Sequence, residues 1–248
     1  MRALRSPQAR SHVDAATTHI DVGTGASITD LVSFSVLCWV YPTSVANTVR
    51  NIFGKTVLKG GWELFKRGTD GTIMRLNRGR FTTAGSVASV TGTLTVNEWQ
   101  MLAFTFDDAT LALCKAYRAT ELSGPVDVTD AAATLIGSGA PNTDAATSLK
   151  LFTSAAPTNG WPGAIAAIGV WDRVLSAGQI ADAWRRPWHQ LAPVGLWLPG
   201  SEGQTGNLVI DHSGNGNHGT YSSSTSFSPF AAPRAPLRRP TRLSRVLG

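Results

Sequence analysis

Cysteine is nearly absent from this chain. Cys38 and Cys114 are its two cysteines, and both sit in apolar, strand-like runs, which favours buried thiols over a disulfide framework. Charged side chains make up 15% of the residues against 42% apolar ones, a balance that excludes a disordered chain and a coiled coil. No stretch approaches the ~20 apolar residues of a membrane-spanning helix. There is no Asn-x-Ser/Thr sequon, and the basic N-terminus runs into polar sequence with no apolar h-region. The expectation is a protein made in the cytoplasm, without an export signal or membrane contact. Glutamate is scarce, limited to Glu63, Glu98, Glu121 and Glu202, whereas glycoside hydrolysis needs two carboxylates facing one bond. A Gly-x-Ser-x-Gly elbow is missing too. A non-enzymatic protein is expected.

What the chain does have is turn chemistry. Its 25 glycines and 13 prolines favour short strands joined by turns over helices, and 248 residues suit a single large all-β domain. Phe34, Val36, Cys38 and Val40 alternate on one face of a strand that begins half-exposed at Ser33 and Ser35 and ends at Pro42. Further strands are predicted at 51–58, 62–67, 72–78, 87–90, 100–106, 111–118, 149–153 and 163–171, with Gly, Asn, Asp or Pro in most gaps. Strands at this spacing describe a two-sheet antiparallel jelly-roll sandwich. One short helix is predicted near 176–185: Ser176 and Gln179 stand in capping-box order, Ile180, Ala183 and Trp184 form an apolar stripe, and Pro187 stops the run.

The net charge of +6 suggests nucleic acid until it is located. Arg2, Arg5 and Arg10 at one end and Arg234, Arg238, Arg239, Arg242 and Arg245 at the other hold eight of the 22 basic residues, leaving 14 against 16 acidic ones, a net of −2, between the ends. Within that body Arg50, Lys55, Lys59, Lys66, Arg67, Arg75, Arg78 and Arg80 stand against Glu63 and Asp70. A solvated face is the expected reading of this region, and an anion-binding patch is the alternative. The Pro/Arg ends lack the aromatic interleaving of a single-strand binder, so they are read as extended anchoring arms for an acidic protein neighbour, not as a nucleic-acid site. The chain therefore divides into an arm at 1–10, a jelly roll at 11–220 and a Ser/Pro/Arg-rich arm at 221–248. The jelly roll has its core at 11–184, and a returning strand and turn at 195–220.

Three segments carry a family resemblance. Phe34-Ser-Val-Leu-Cys-Trp-Val-Tyr-Pro42, Asn97-Glu-Trp-Gln-Met-Leu-Ala-Phe-Thr-Phe-Asp107 and Gly163-Ala-Ile-Ala-Ala-Ile-Gly-Val-Trp-Asp-Arg-Val-Leu-Ser-Ala-Gly-Gln-Ile180 resemble, in order, three motifs of the laminin-G-like modules of the concanavalin A-like lectin and glucanase superfamily. The resemblance implies two antiparallel sheets in a jelly roll. It departs at Cys114–Ala119, where the family's Tyr-x-Asp-Gly hairpin is missing, and at 195–220, which is similar to a segment that usually precedes such modules and here follows one. A displaced opening strand can still pair on the same sheet edge. The Glu-x-Asp-x-x-Glu strand of the superfamily's glucanases is absent.

Laminin-G-like modules often hold calcium at the sandwich rim. Asp211, Asn215 and Asn217 are the calcium candidates here, although Asx turns explain them without an ion, and His212 and His218 in the same loop are read as solvated. Gly214–Gly219 matches Gly-x-Gly-x-x-Gly without a following helix, and Gly54-Lys-Thr56 lacks the first glycine of a phosphate loop. Trp39, Trp99 and Trp171 are read as core. Trp161, between Asn159-Gly160 and Pro162-Gly163, is the expected exposed aromatic, and with Asn159, Asn142 and Asp144 it forms the candidate glycan or partner contact. Modules of this kind resemble those attached to phage virions. The leading expectation is a virion-type decoration protein bound by its arms to capsid or shell subunits, and the alternative is a lectin module for a cell-surface glycan.

Overall fold

A computed structural model of the protein describes residues 8–12, 19–55, 61–67, 70–79, 83–153, 159–186, 188–199, 207–222 and 227–231. Along the chain run β1 (Gln8–His12), β2 (Ile20–Gly23), β3 (Ser33–Pro42), β4 (Arg50–Gly54), β5 (Trp62–Lys66), β6 (Met74–Arg78), β7 (Gly85–Ala88) and β8 (Gln100–Asp107). They are followed by β9 (Lys115–Thr120), β10 (Val126–Asp127), β11 (Leu149–Leu151), β12 (Gly163–Trp171) and the helix α1 (Ala177–Arg185). β13 (Gly195–Trp197), β14 (Leu208–Val209), β15 (Gly219–Tyr221) and β16 (Phe227–Ala231) complete the described elements.

These strands form two antiparallel sheets of a jelly-roll sandwich. The first has the order β10-β9-β8-β3-β12-β1-β16, with β13 also paired to β12. The second has the order β14-β15-β2-β11-β4-β5-β6-β7. The core lies between them. Phe34, Val36, Cys38 and Val40 of β3 meet Ile52, Phe53, Trp62, Leu64 and Leu76 of the facing sheet, the burial that strict alternation predicts. The other face of β3 is buried as well: Leu37 and Trp39 join Met101, Ala103, Trp171, Ile180, Ala183 and Trp188 in a second apolar cluster under α1. Ser176 caps that helix, its side chain accepting from the Gln179 N–H while the Gln179 side chain accepts from the Ser176 N–H. Gly169 is required where the helix side packs down, because a Cβ there would stand 2.5 Å from the Trp171 ring and 3.1 Å from that of Trp188.

The segment at 195–220 returns to its own sandwich. β13 pairs with the half of β12 beyond the stretch held by β1, and β15 pairs with β2 in the second sheet. The expected arm boundaries do not follow the pairing. Gln8–His12 is a strand between β12 and β16, and Tyr221 and Phe227–Ala231 are strand residues too. A free backbone edge on β12 explains why polar and Pro-containing terminal segments are taken into the sheet. Arg10 therefore lies in β1, while Arg2, Arg5, Arg234, Arg238, Arg239, Arg242 and Arg245 lie outside the described residues.

Candidate functional site

The four residues expected to form a contact surface do not form one. Trp161 is fully buried in the inter-sheet core, its backbone N–H donating to the Phe152 carbonyl (2.8 Å) while Gly160 bridges to Asn51 of β4. Asn159 is half-buried at the same place, its carbonyl accepting from the Asn51 N–H (2.8 Å). Asn142 is half-buried, and Asp144, two residues on, is fully enclosed as the anion of a buried ion cluster. In the loop at 211–217, Asp211 and Asn217 are buried, while His212, Gly214, Asn215 and Gly216 are exposed. The Asp211 carboxylate accepts from the N–H groups of Leu196, Ser213 and Asn217 and from the Ser213 hydroxyl, at 2.8–3.0 Å. The Asn215 and Asn217 amides both donate to the Val194 carbonyl, and Asn217 also donates to Ser27 Oγ. These residues tie the turn to β13 and to Val194 before it, Asp211 as acceptor of the Leu196 N–H and the two Asn amides as donors to the Val194 carbonyl. His218 Nδ1 accepts the Asp211 N–H.

The basic region at 50–80 is only partly a solvated face. Lys55, Lys66 and Arg78 are buried; Arg50, Arg67 and Arg75 are half-buried, and Lys59 and Arg80 lie outside the described residues. Lys66 sits at an inward position of β5 and donates to the carbonyls of Ala46 and Thr48, and burial, then the Arg50 charge, pushes its ammonium down from the ordinary lysine range. Lys55 and Arg78 both address Asp144, at 2.9 Å and 3.5 Å. Asp30 and Asp144 exchange backbone bonds, each carboxylate accepting the other's N–H at 2.8 and 3.1 Å. Accepting from the Asp144 N–H is the main reason that the Asp30 carboxyl is held below its ordinary range; burial opposes it, and Thr143, Arg78 and Lys55 add to the lowering.

The open face of the second sheet carries side chains that the sequence does not bring together. Cross-strand pairing aligns Thr220, Asp21, Lys150, Gly54, Glu63, Asn77 and Ser86 in one row over seven strands. Asn51, Phe65, Arg75 and Ala88 align in the adjacent row. Asp21, Glu63, Phe65, Arg75, Asn77 and Lys150 are all half-buried, whereas Gly54 and Ser86 of the first row and Asn51 and Ala88 of the second are buried. Asn51 Nδ2 donates to Glu63 Oε2 (2.8 Å), fixing the carboxylate. Arg75 keeps its Nε away from solvent without a hydrogen-bond partner, and burial, then Arg67, pushes its guanidinium down from the ordinary value while Asp130 opposes. The far edge at β7 is closed by Ser86, which exchanges backbone bonds with Leu135 (2.7 and 2.8 Å). A one-sided sheet face with mixed donors and acceptors around an aromatic ring is suited to a hydroxyl-rich ligand.

Hydrolytic geometry is not assembled on this face. Asp21 and Glu63 are three strand spacings apart, roughly 14 Å, beyond the roughly 5–9.5 Å that paired glycosidase carboxylates require. Glu98 lies in the turn before β8 of the other sheet and is paired to Arg118 of β9 at 2.9 Å. The alternation of Trp62–Lys66 and Met74–Arg78 was the available sequence signal for Glu63, Phe65, Arg75 and Asn77. Their register with Lys150 and Asp21 was not, because it depends on pairing between distant segments.

No curated protein matches the sequence significantly. Among solved structures the chain is similar to a candidate carbohydrate-binding protein from Bacteroides ovatus, at 15% identity and a TM-score of 0.60, over 93% of this chain and 62% of that one. The chain thus spans less than two thirds of that protein. Lower similarity is found to domains LG4-5 of the mouse laminin alpha1 chain (7% identity, TM-score 0.43, 70% of this chain and 45% of that one). It extends to the CBM40 of a Ruminococcus gnavus sialidase (9% identity, TM-score 0.42, 72% and 98%). A laminin-G family model of the concanavalin A-like lectin/glucanase superfamily matches residues 14–181, and with that span and this sandwich the chain belongs to the concanavalin A-like lectin and glucanase superfamily.

Proposed function

We propose that this chain is a non-enzymatic binding module whose ligand is a carbohydrate lying across β2, β11, β4, β5 and β6. The observation that carries the reading is the pair of aligned rows on the open face of the second sheet, with Phe65 and Arg75 directly opposite each other and Asp21, Glu63, Asn77 and Lys150 alongside. Phe65 offers an apolar surface for a sugar ring, and the polar groups offer hydroxyl partners of both kinds. Likeness in fold to the Bacteroides ovatus protein supports the ligand class. The test is titration of the full chain with a panel of neutral and acidic oligosaccharides. Binding is expected, weakened about 3- to 10-fold by Phe65→Ala; absence of binding across the panel would sink the reading.

A second reading concerns where the module is held. Gln8 and Ala231 are cross-strand partners, so the two strand ends to which the arginine-rich segments 1–7 and 232–248 are joined are neighbours. Seven arginines without an acid then start from adjacent points, which favours a single acidic docking surface on a neighbouring protein, such as the capsid or shell subunits of a virion-type assembly. Deleting 232–248, which spares β16, should abolish incorporation into such a particle and leave the fold intact. Normal incorporation of the truncated chain contradicts it.

A further inference from the structure

Two arginines flank the one aromatic ring of the open face. The alternation of β5 continues one residue past Lys66, so Arg67 follows Glu63 and Phe65 on that face, and its N–H donates to the Ile73 carbonyl (2.9 Å). Arg75 of β6 is the cross-strand partner of Phe65. In backbone position Arg67 thus lies about 7 Å from Phe65 along the strand, and Arg75 about 5 Å across it. Both arginines are half-buried, and among the described residues neither forms an ion pair or a side-chain hydrogen bond. The Arg75 Nε is also shut off from solvent without a partner.

The carboxylates that could neutralise this pair are engaged elsewhere. Asp70 accepts from the Thr72 N–H (2.9 Å) and hydroxyl (2.6 Å), and Asp130 from the N–H groups of Ala132 (3.0 Å) and Ala133 (3.3 Å). Glu63 accepts from Asn51, and Asp21 stands opposite Lys150 further along the face. Lys66 turns its protons inward to the Ala46 and Thr48 carbonyls. What remains beside Phe65 is two guanidiniums that repel each other, each a planar fork of N–H donors matched to the two oxygens of a carboxylate. An anion between them relieves the repulsion. In a hexuronate the carboxylate is attached directly to the ring, so a ring stacked on Phe65 carries its charge to the guanidiniums at its side. Resting on the carbohydrate reading above, we propose that the ligand is acidic: a hexuronate-containing oligosaccharide whose ring covers Phe65 and whose carboxylate is taken by Arg67 and Arg75. The two arginines thereby select the sugar class, and the rest of the face binds hydroxyls.

Calorimetric titration of the full chain with oligogalacturonates, oligomannuronates and glucuronate-containing oligosaccharides, with the methyl esters of each and with matching neutral oligosaccharides, tests this. The methyl ester keeps the ring and removes the charge. The wild-type chain is expected to bind at least one acid about 10-fold more tightly than its ester, and the preference should shrink as NaCl is raised while ester binding stays unchanged. Arg67→Gln and Arg75→Gln should each cut the preference to about 3-fold or less, with folding verified by Tm. Equal affinity for acid and ester, or binding of neutral sugars alone, would overturn this inference and leave the carbohydrate reading standing; binding in no arm would overturn both. A preference for the acid that both variants retain would overturn the assignment to Arg67 and Arg75. If neither variant folds, the acid, ester and salt comparison on the wild-type chain decides.

Discussion

At the scale of single residues, the largest difference between expectation and structure is Trp161. Flanked by Asn159-Gly160 and Pro162-Gly163, it reads as an exposed loop aromatic, yet the backbone pairing of its segment with Phe152 and Asn51 turns the indole into the core. Local sequence reports the turn and not the direction in which a turn folds over. Trp161→Ala is accordingly expected to cost about 3–5 kcal/mol of stability, read as a lower denaturation midpoint, and to affect ligand binding only by reducing the folded fraction. Phe65→Ala should do the reverse, weakening the ligand while moving the midpoint little. Cys38 was legible from its apolar run, and it is fully buried. Burial pushes its thiol far above the ordinary cysteine range, so it should react with a thiol reagent only as fast as the protein unfolds; rapid labelling of the native chain at Cys38 contradicts this.

Elements were more legible than residues. The α1 boundaries follow from one capping serine, one Gln three positions on and the apolar stripe between them, all local features. Ser176→Ala is expected to destabilise the protein by about 1 kcal/mol, measurable as a small shift in chemical denaturation without loss of the folded baseline. The strands with clear alternation, β3, β5, β8 and β12, also lie close to where their patterns place them. β10 and β14, two residues each, carry too little pattern to be seen, and β1 and β16 are strands because β12 offers an unpaired edge and not because of their own composition. The same limit hid the candidate site. Glu63, Phe65, Arg75 and Asn77 were visible as the outward half of two alternating strands, but Lys150 and Asp21 join them only through long-range register. The 211–217 turn is an intermediate case: its Asx character was legible, and its role in tying β13 to the first rim loop through Asn217 and Ser27 was not.

For the whole molecule, Gln8–His12, Phe227–Ala231 and the strands β13, β14 and β15 are built into the sheets, so the sandwich closes only when distant parts of the sequence meet. Acid sensitivity follows from the loops that this closure orders. Asp30 is lowered chiefly by the Asp144 N–H it accepts. Burial alone would raise Asp107, but bonds from Ser33, Ala109 and Thr110 outweigh it and leave that carboxyl lowered. A carboxyl lowered in the folded state binds fewer protons there than in the unfolded chain. The stability it contributes is therefore full above about pH 4 and is lost as pH falls through the folded-state values. Thermal unfolding should be nearly independent of pH between neutrality and that point, then decline steeply; a decline already near pH 6 would contradict the assignment.

The proposed carbohydrate binding is assigned to the open face of the second sheet, and the most direct measurement is calorimetric titration of oligosaccharides into the wild-type chain and into Phe65→Ala, with folding of both verified by thermal unfolding. Saturable binding by the wild type, weakened several-fold in an equally stable Phe65→Ala protein, is the predicted result. Failure of the folded wild-type chain to bind, or binding that Phe65→Ala leaves untouched, would contradict the account.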